Sequence, residues 1–271
     1  MGDEALLSSA ISGADVADFS ELLNIDRLLS PLEGDQPQGR DTRQEFDPSS
    51  PYQVLRTARG EARDAERRAM QGDSDAPPAN WGAVAGAAID LISDHSKDLE
   101  AAAWLIEALV RTDGVLGLGA GAAVFAGLVR NFWGALYPGA DEDDPDDDPA
   151  EACMRPLSGL ASGTRATLPQ PLRLVPLFYR ADGSQATLSD YDAASSLEGL
   201  DETAKEQRIA EGAATLAMLE EEARRDPQAL ARLARDAEAA LEAWDDLDRA
   251  LSENAGRAKP NLDRKSTRLN S

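Results

Sequence analysis

The sequence predicts an all-α protein, and three observations carry that reading. Ala and Leu are the commonest residues, and aromatic residues make up only 5% of the 271 residues, so strand-favouring side chains are scarce. Apolar residues recur at i, i+3, i+4 and i+7 in several long stretches. Helix punctuation stands at the ends of those stretches, with Ser50-Pro51 and Asp226-Pro227 as starts and Gly114 as a stop. The expected architecture is a leader over 1–19 and a multi-helix bundle over 20–163. A linker region with room for a short β-hairpin follows over 164–200, then an antiparallel helical hairpin over 201–256 and a tail over 257–271.

Each element has its own signal. Glu21 to Leu29 reads as a short amphipathic helix carrying Leu22, Leu23, Ile25, Leu28 and Leu29. The next twelve residues hold Pro31, Gly34, Pro37 and Gly39 at fixed offsets, which marks an ordered turn-rich loop. Ser50 as N-cap and Pro51 at the first helical position open a long helix to about Gln71, with Tyr52, Leu55, Ala58, Ala62, Ala65 and Ala69 inward. Arg56, Arg59, Arg63 and Arg67 form a basic ridge on that helix. It is either a solvated face paired with Glu61, Asp64 and Glu66, or a docking ridge for an acidic partner through Arg56, Arg59 and Arg63. Asn80 caps a helix from Trp81 to about Ser93.

Ser96 to Pro138 is the longest apolar stretch. Ser96 reads as an N-cap, with Asp98 and Glu100 suiting the first turn's dipole. One helix ends at Gly114, and a second runs from about Leu118 to Leu136. The uncharged run 114–129 is shorter than the roughly 20 apolar residues a membrane span needs. It is also rich in Gly and Ala, which fits a buried helix packed closely against a neighbour. Gly117, Gly119 and Gly121 have the wrong spacing and context for a nucleotide loop. Seven of the eight residues at 141–148 are acidic, yet the ligand order and glycine of a calcium loop are missing, so an exposed loop is expected. A short helix over 150–161 carries Met154, Leu157 and Leu160. Leu172, Leu174 and Leu177 suggest a short strand, with Asp182-Gly183 as a hairpin turn. Helices over 201–225 and 227–254 follow. The second has a seam of Leu230, Leu233, Ala237, Ala240, Trp244, Leu247 and Leu251, expected to close on the first as a hairpin, with oligomerisation as the alternative use of the stripe.

Fifty acids stand against 27 bases, a net charge of -23. Such a surface repels phosphate backbones and argues against nucleic-acid binding. The lone Cys153 allows no intrachain disulfide and suits a reducing compartment. No signal-peptide pattern opens the chain, so a cytoplasmic protein without membrane insertion is expected. The final eight residues, RKSTRLNS, are basic and aperiodic. They read as a non-native addition over 264–271, with the native C-terminal part missing. One histidine, His95, and one cysteine supply no zinc cluster, and no Walker loop, dinucleotide fingerprint or nucleophile elbow is present. No catalytic residue, metal or cofactor is expected. A scaffold is the default reading, against a free-standing helical adaptor or a hydrolase using acids and a metal.

Five stretches in order give a sharper expectation. They are PLEGDQPQGRD (Pro31 to Asp41), PYQVLRTAR (Pro51 to Arg59), the W-x-x-V helix from Trp81, SKDLEAAAWLIEAL (Ser96 to Leu109) and GLVRNFWGALYP (Gly127 to Pro138). Together, over roughly 20–160, they resemble the ImpA-type N-terminal domain of the TssA family of bacterial type VI secretion systems. Departures are the Gly/Ala-rich run after Gly114 and the proline-interrupted acid run. The resemblance implies a non-enzymatic structural component of a contractile injection machine. It would act in baseplate assembly and in priming or capping tail tube and sheath polymerisation. Contacts with baseplate and tail proteins and homo-oligomerisation of the full-length protein are implied too. Pro31, Gly34, Pro37, Gly39, Ser96, Asp98, Trp133, Tyr137 and Pro138 are the positions expected to define the fold.

Overall fold

The structure, a computed structural model, describes residues 19–141, 143–144, 146–162, 166–260 and 262. The leader up to 18 and the tail from 263 lie outside the described residues. Among the described residues the chain is helical apart from one two-stranded antiparallel hairpin. Phe19–Glu21 is a single 3-10 turn, followed by α1 (Ile25–Leu29), capped by Asn24, whose side chain accepts from the Arg27 N–H. The expected helix from Glu21 is thus cut in two, because the Asn24 side chain satisfies an amide that a continuous helix would bond to its own backbone. A 3-10 turn at Thr42–Gln44 precedes α2 (Pro51–Met70) and α3 (Trp81–Asp94). Leu55, Ala62 and Ala65 are buried on α2, but Ala69 is exposed, since the helix outruns the neighbour it packs on.

The central element is α4 (Leu99–Phe132). It is two arms, 99–113 and 115–132, because Gly114 turns the chain with φ 62° and ψ -134°, a conformation essentially reserved for glycine. The arms fold back on one another. A Cβ at Gly121 would meet Ile106 Cγ1 at 2.6 Å, and one at Gly117 would meet the Leu109 carbonyl oxygen at 2.2 Å. Glycine is therefore the spacing element of the hairpin. Each such residue costs about 1 kcal/mol of helix propensity. Burial offsets this: Val124, Phe125, Leu128 and Val129 are fully buried, at about 1.5–3 kcal/mol each. The second arm ends at Phe132 rather than Leu136, and the N-cap of the first is Asp98, not Ser96. Asp98 accepts from the N–H groups of Glu100 and Ala101, while Ser96 stands two residues upstream in extended backbone.

The acid run ends in Asp148, which caps α5 (Pro149–Ala161). Its carboxylates serve turns: Asp147 accepts from the Asp141 N–H, Asp141 from Asp143 and Asp144 from Asp146. Next come α6 (Pro169–Arg173), β1 (Pro176–Tyr179) and β2 (Gln185–Thr187), with Gly183 at φ 83° in the connecting turn. Leu172 lies in α6 and Leu174 caps its end, so of the three expected strand residues only Leu177 is in β1. Leu188–Leu197 forms a further helix, α7, started by a Thr187/Asp190 capping box inside the expected linker. The expected helix over 201–225 is two, α8 (Glu202–Ala210) and α9 (Leu216–Ala223), broken at Gly212 with φ 96°. Asp226 then caps α10 (Pro227–Asn254) as expected.

The seam of α10 has a different partner from the one expected. Its principal packing is against α4, not against 201–225. Ala243, Leu247, Ala250 and Leu251 join the core built from α2, α3 and α4, and Gly119 brings the Ala240 backbone close. The earlier turn of α10 carries Leu230 to a second, small cluster of Phe178, Ala186, Ala194 and Leu219. The physical reason is area. The 115–132 arm offers a continuous apolar side, whereas α8 has no buried residue and α9 only Leu219. Neither arm of α4 reaches the roughly 20 residues of a membrane span, and their apolar sides are covered by α3, α5 and α10.

Candidate functional site

Three extended residues, 96–98, join the two ends of the α4 hairpin to the turn-rich loop. On one side the Lys97 N–H donates to the Gln38 carbonyl at 2.7 Å, the Arg40 N–H donates to that of His95 at 3.3 Å, and Gly39 pairs with Ser96. On the other the Leu99 N–H donates to the Tyr137 carbonyl at 2.7 Å, and the Tyr137 N–H donates to that of Lys97 at 3.1 Å. We call this double tie the clasp. Gly39 fits because its φ is 76° and a Cβ would lie 2.2 Å from the His95 carbonyl oxygen. The loop closes on itself through the Leu32 N–H to the Pro37 carbonyl, with Gly34 at φ 106°. The Tyr137 hydroxyl reaches the Gly39 carbonyl at 3.4 Å, and the Tyr137-Pro138 bond is cis. Trp133 caps the end of α4 and packs half-buried against the core. Of the sequence-chosen positions, Gly39, Ser96, Asp98, Tyr137 and Pro138 meet here. Pro31, Gly34 and Pro37 lie at the exposed end of the same loop.

Charge is concentrated on the α2 side of the clasp. Arg43 grips Asp98 with two hydrogen bonds, 2.5 and 3.0 Å, and reaches Glu100 at 3.0 Å. Glu100 also accepts from the Tyr52 hydroxyl at 2.8 Å. Rings and guanidiniums stack alongside. Arg43 lies 4.8 Å over Tyr52, Tyr52 stacks on Trp104, and Arg59 lies 4.7 Å over Trp104. Burial works against the Arg43 charge, but Asp98 and Glu100 outweigh it and hold the guanidinium above its ordinary range. Burial pushes the Asp98 carboxyl up, against the pull of Arg43 and the Ala101 N–H. Burial, with the Glu100 carboxylate beside it, also raises the Tyr52 hydroxyl.

Lys97 lies between the arms and the loop, fully buried. Its ammonium donates to the Leu28 and Ile92 carbonyls, both at 2.9 Å, and faces the Phe132 ring. It thereby serves carbonyls near the C-terminal ends of α1 and α3, where helix dipoles favour a cation. Burial pushes it down to about 8, with Asp94 opposing. Sequence reasoning picked Ser96 and Asp98 on either side and missed Lys97, Arg43 and Glu107. Glu107, a charged residue inside the apolar run 105–110, carried the available signal, whereas Lys97 and Arg43 stand among polar neighbours and carried none. The basic ridge divides. Arg56 and Arg63 are exposed, and Arg67 pairs with Asp64. Arg59 instead turns inward to the buried Glu107 at 2.7 Å and so does not share the ridge. Cys153 is buried, its thiol donating to the Pro138 carbonyl at 3.0 Å and pushed up to about 11 by burial. Among the described residues no group of three or more His, Cys, Asp or Glu is placed to hold a metal ion.

These features define a helical module in which buried charge fixes geometry. Residues 29–162 match the family described as ImpA, N-terminal, type VI secretion system. A curated relative, type VI secretion system component TssA1 of Pseudomonas aeruginosa, is 32% identical over 141 residues, which are 52% of this chain and 38% of the relative. The chain thus spans well under half of that protein. A solved structure also matches: the N-terminal domain including the conserved ImpA_N region of the TssA component from Burkholderia cenocepacia. Its TM-score is 0.67 at 26% identity, over 90% of this chain and 87% of that one. The chain belongs to the TssA family of type VI secretion system components and carries its ImpA-type N-terminal domain.

Proposed function

We propose that the chain is a non-enzymatic, cytoplasmic building part of the secretion machine, acting in baseplate assembly and in priming or capping tail tube and sheath polymerisation. The observation that carries this reading is the coincidence of the matched region, residues 29–162, with the clasp and its buried ion pairs. Those charges fix a shape. Pro31, Gly34, Pro37, Gly39, Ser96, Asp98, Trp133, Tyr137 and Pro138 act as fold-defining positions in this reading. Arg56 and Arg63, exposed on α2, are the candidates for partner contact. Baseplate and tail proteins are the partners, and the full-length protein assembles as a homo-oligomer. The test is a deletion strain scored for tail-sheath assembly by fluorescence microscopy and for substrate secretion. Loss of both, restored by the intact gene, is expected; normal sheath assembly without the gene overturns the proposal.

A further inference from the structure

The seam of α10 is not wholly covered by α4. Its Ala237, Ala240 and Trp244, with Leu241 beside them, recur at i, i+3, i+4 and i+7 and form one wall of a groove of about 320 Å³. Val115 and Leu118 of the 115–132 arm stand opposite, and the α5–α6 junction closes the groove. Every lining residue is apolar, in a chain where 28% of residues are charged. Leu241 is 46% exposed, and Val115, Leu118 and Trp244 are half-buried. Apolar residues gathered in one groove, rather than scattered singly, mark a surface that something covers.

The place where the described chain begins marks the segment that covers it. Phe19 is the first described residue, and 18 residues precede it. The Phe19 ring sits at the edge of the groove. A Cβ on Gly119 would lie 2.6 Å from the Phe19 Cζ and 2.9 Å from the Ala240 Cα, and Ala240 and Leu118 line the groove. Segment 1–18 therefore joins the fold at the groove's rim. Reach is ample, since the eight steps from Ile11 to Phe19 can span about 26 Å at about 3.3 Å per extended residue. The segment also has side chains to fill the groove. Leu7, Ala10, Ile11 and Ala14 repeat the i, i+3, i+4, i+7 spacing, with Ser8, Ser9 and Ser12 between them. We infer that segment 1–18 of this chain covers the groove, with Leu7 and Ile11 against Leu241 and Trp244. A tethered segment needs little intrinsic affinity, because its effective concentration at the rim is high. The inference concerns the packing of the chain on itself and holds whatever role the protein has in secretion.

The experiment combines Ile11→Cys with Leu241→Cys in the full chain, oxidises it in dilute solution and maps cross-links by mass spectrometry of tryptic peptides. Cys153 is buried and is left in place. In the control, Glu242→Cys replaces Leu241→Cys; it is exposed, one residue further on and outside the groove. An intrachain bond between positions 11 and 241 is expected, at least about fivefold more complete than between 11 and 242. Leu7→Cys with Leu241→Cys repeats the test from a second leader position. Another readout needs no bond. Leu7→Asp with Ile11→Asp should bare the groove, and the fluorescence of the apolar dye ANS should rise at least about fivefold over the natural chain. No bond to 241 from either leader position, equal bonding to 242, or cross-links only between two chains overturns the inference, the last by making a second copy the cover. Unchanged dye fluorescence in the double variant overturns it too. If a cysteine variant does not fold, the dye comparison decides alone.

Discussion

Asp98 does two jobs with one carboxylate: it caps the 99–113 arm and neutralises Arg43. Asp98→Ala leaves a largely buried guanidinium without its main partner and a helix start uncapped. The expected loss is about 3–5 kcal/mol in urea unfolding; a loss below about 1 kcal/mol means the pair contributes little. Lys97 gives a prediction with a sign. Its folded value near 8 lies below the ordinary 10.5, so the unfolded chain binds more protons between those limits. The stability of the natural chain relative to Lys97→Met should therefore rise as pH goes from 8 towards 10.5, and a flat difference would refute this. Cys153 should resist thiol reagents at pH 8 until the chain is unfolded, because burial raises its thiol and hides it. At this scale the sequence was only half legible. Asp98 announces itself by its place before an apolar run, but Arg43 and Glu107 find their partners 55 and 48 residues away, and no local pattern records such a distance.

At the scale of elements the glycines decide the packing. Gly119 sits where a Cβ would lie 2.9 Å from the Ala240 backbone, so Gly119→Val should push α10 off α4. The expected cost is about 1–3 kcal/mol in thermal or chemical unfolding, and an unchanged midpoint would show that the approach is not required. Helix starts were readable because capping is local. Asn80, Asp226 and the Ser50-Pro51 step all stand where expected. Gly114 was readable as a stop for the same reason. Ser96 misled because two side chains that favour caps stand two residues apart, and only the β-like pairing with Gly39 and Tyr137 selects the second. The break at Gly212 and the helix over Leu188–Leu197 went unseen because both segments are weakly apolar and carry little period.

Across the whole molecule, the seam of α10 was legible and its partner was not, since a stripe states that it will be covered without stating by what. In the event it covers the 115–132 arm, aided by Arg130, whose guanidinium grips Asp246 with two 2.7 Å bonds. Deleting residues 227–262 should strip that arm and turn a single cooperative melt into aggregation on gel filtration; a monomeric, cooperatively melting product would contradict this. The clasp also orders events in time. The α4 hairpin beneath it brings together residues close in sequence, Gly117 with Leu109 and Gly121 with Ile106. The clasp then ties Leu99 to Tyr137 and Lys97 to Gln38, and the grip of Arg130 on Asp246 joins points 116 residues apart. Short loops close early and long ones late. The hairpin is thus expected to form first, with α10 the last wall to be raised around it.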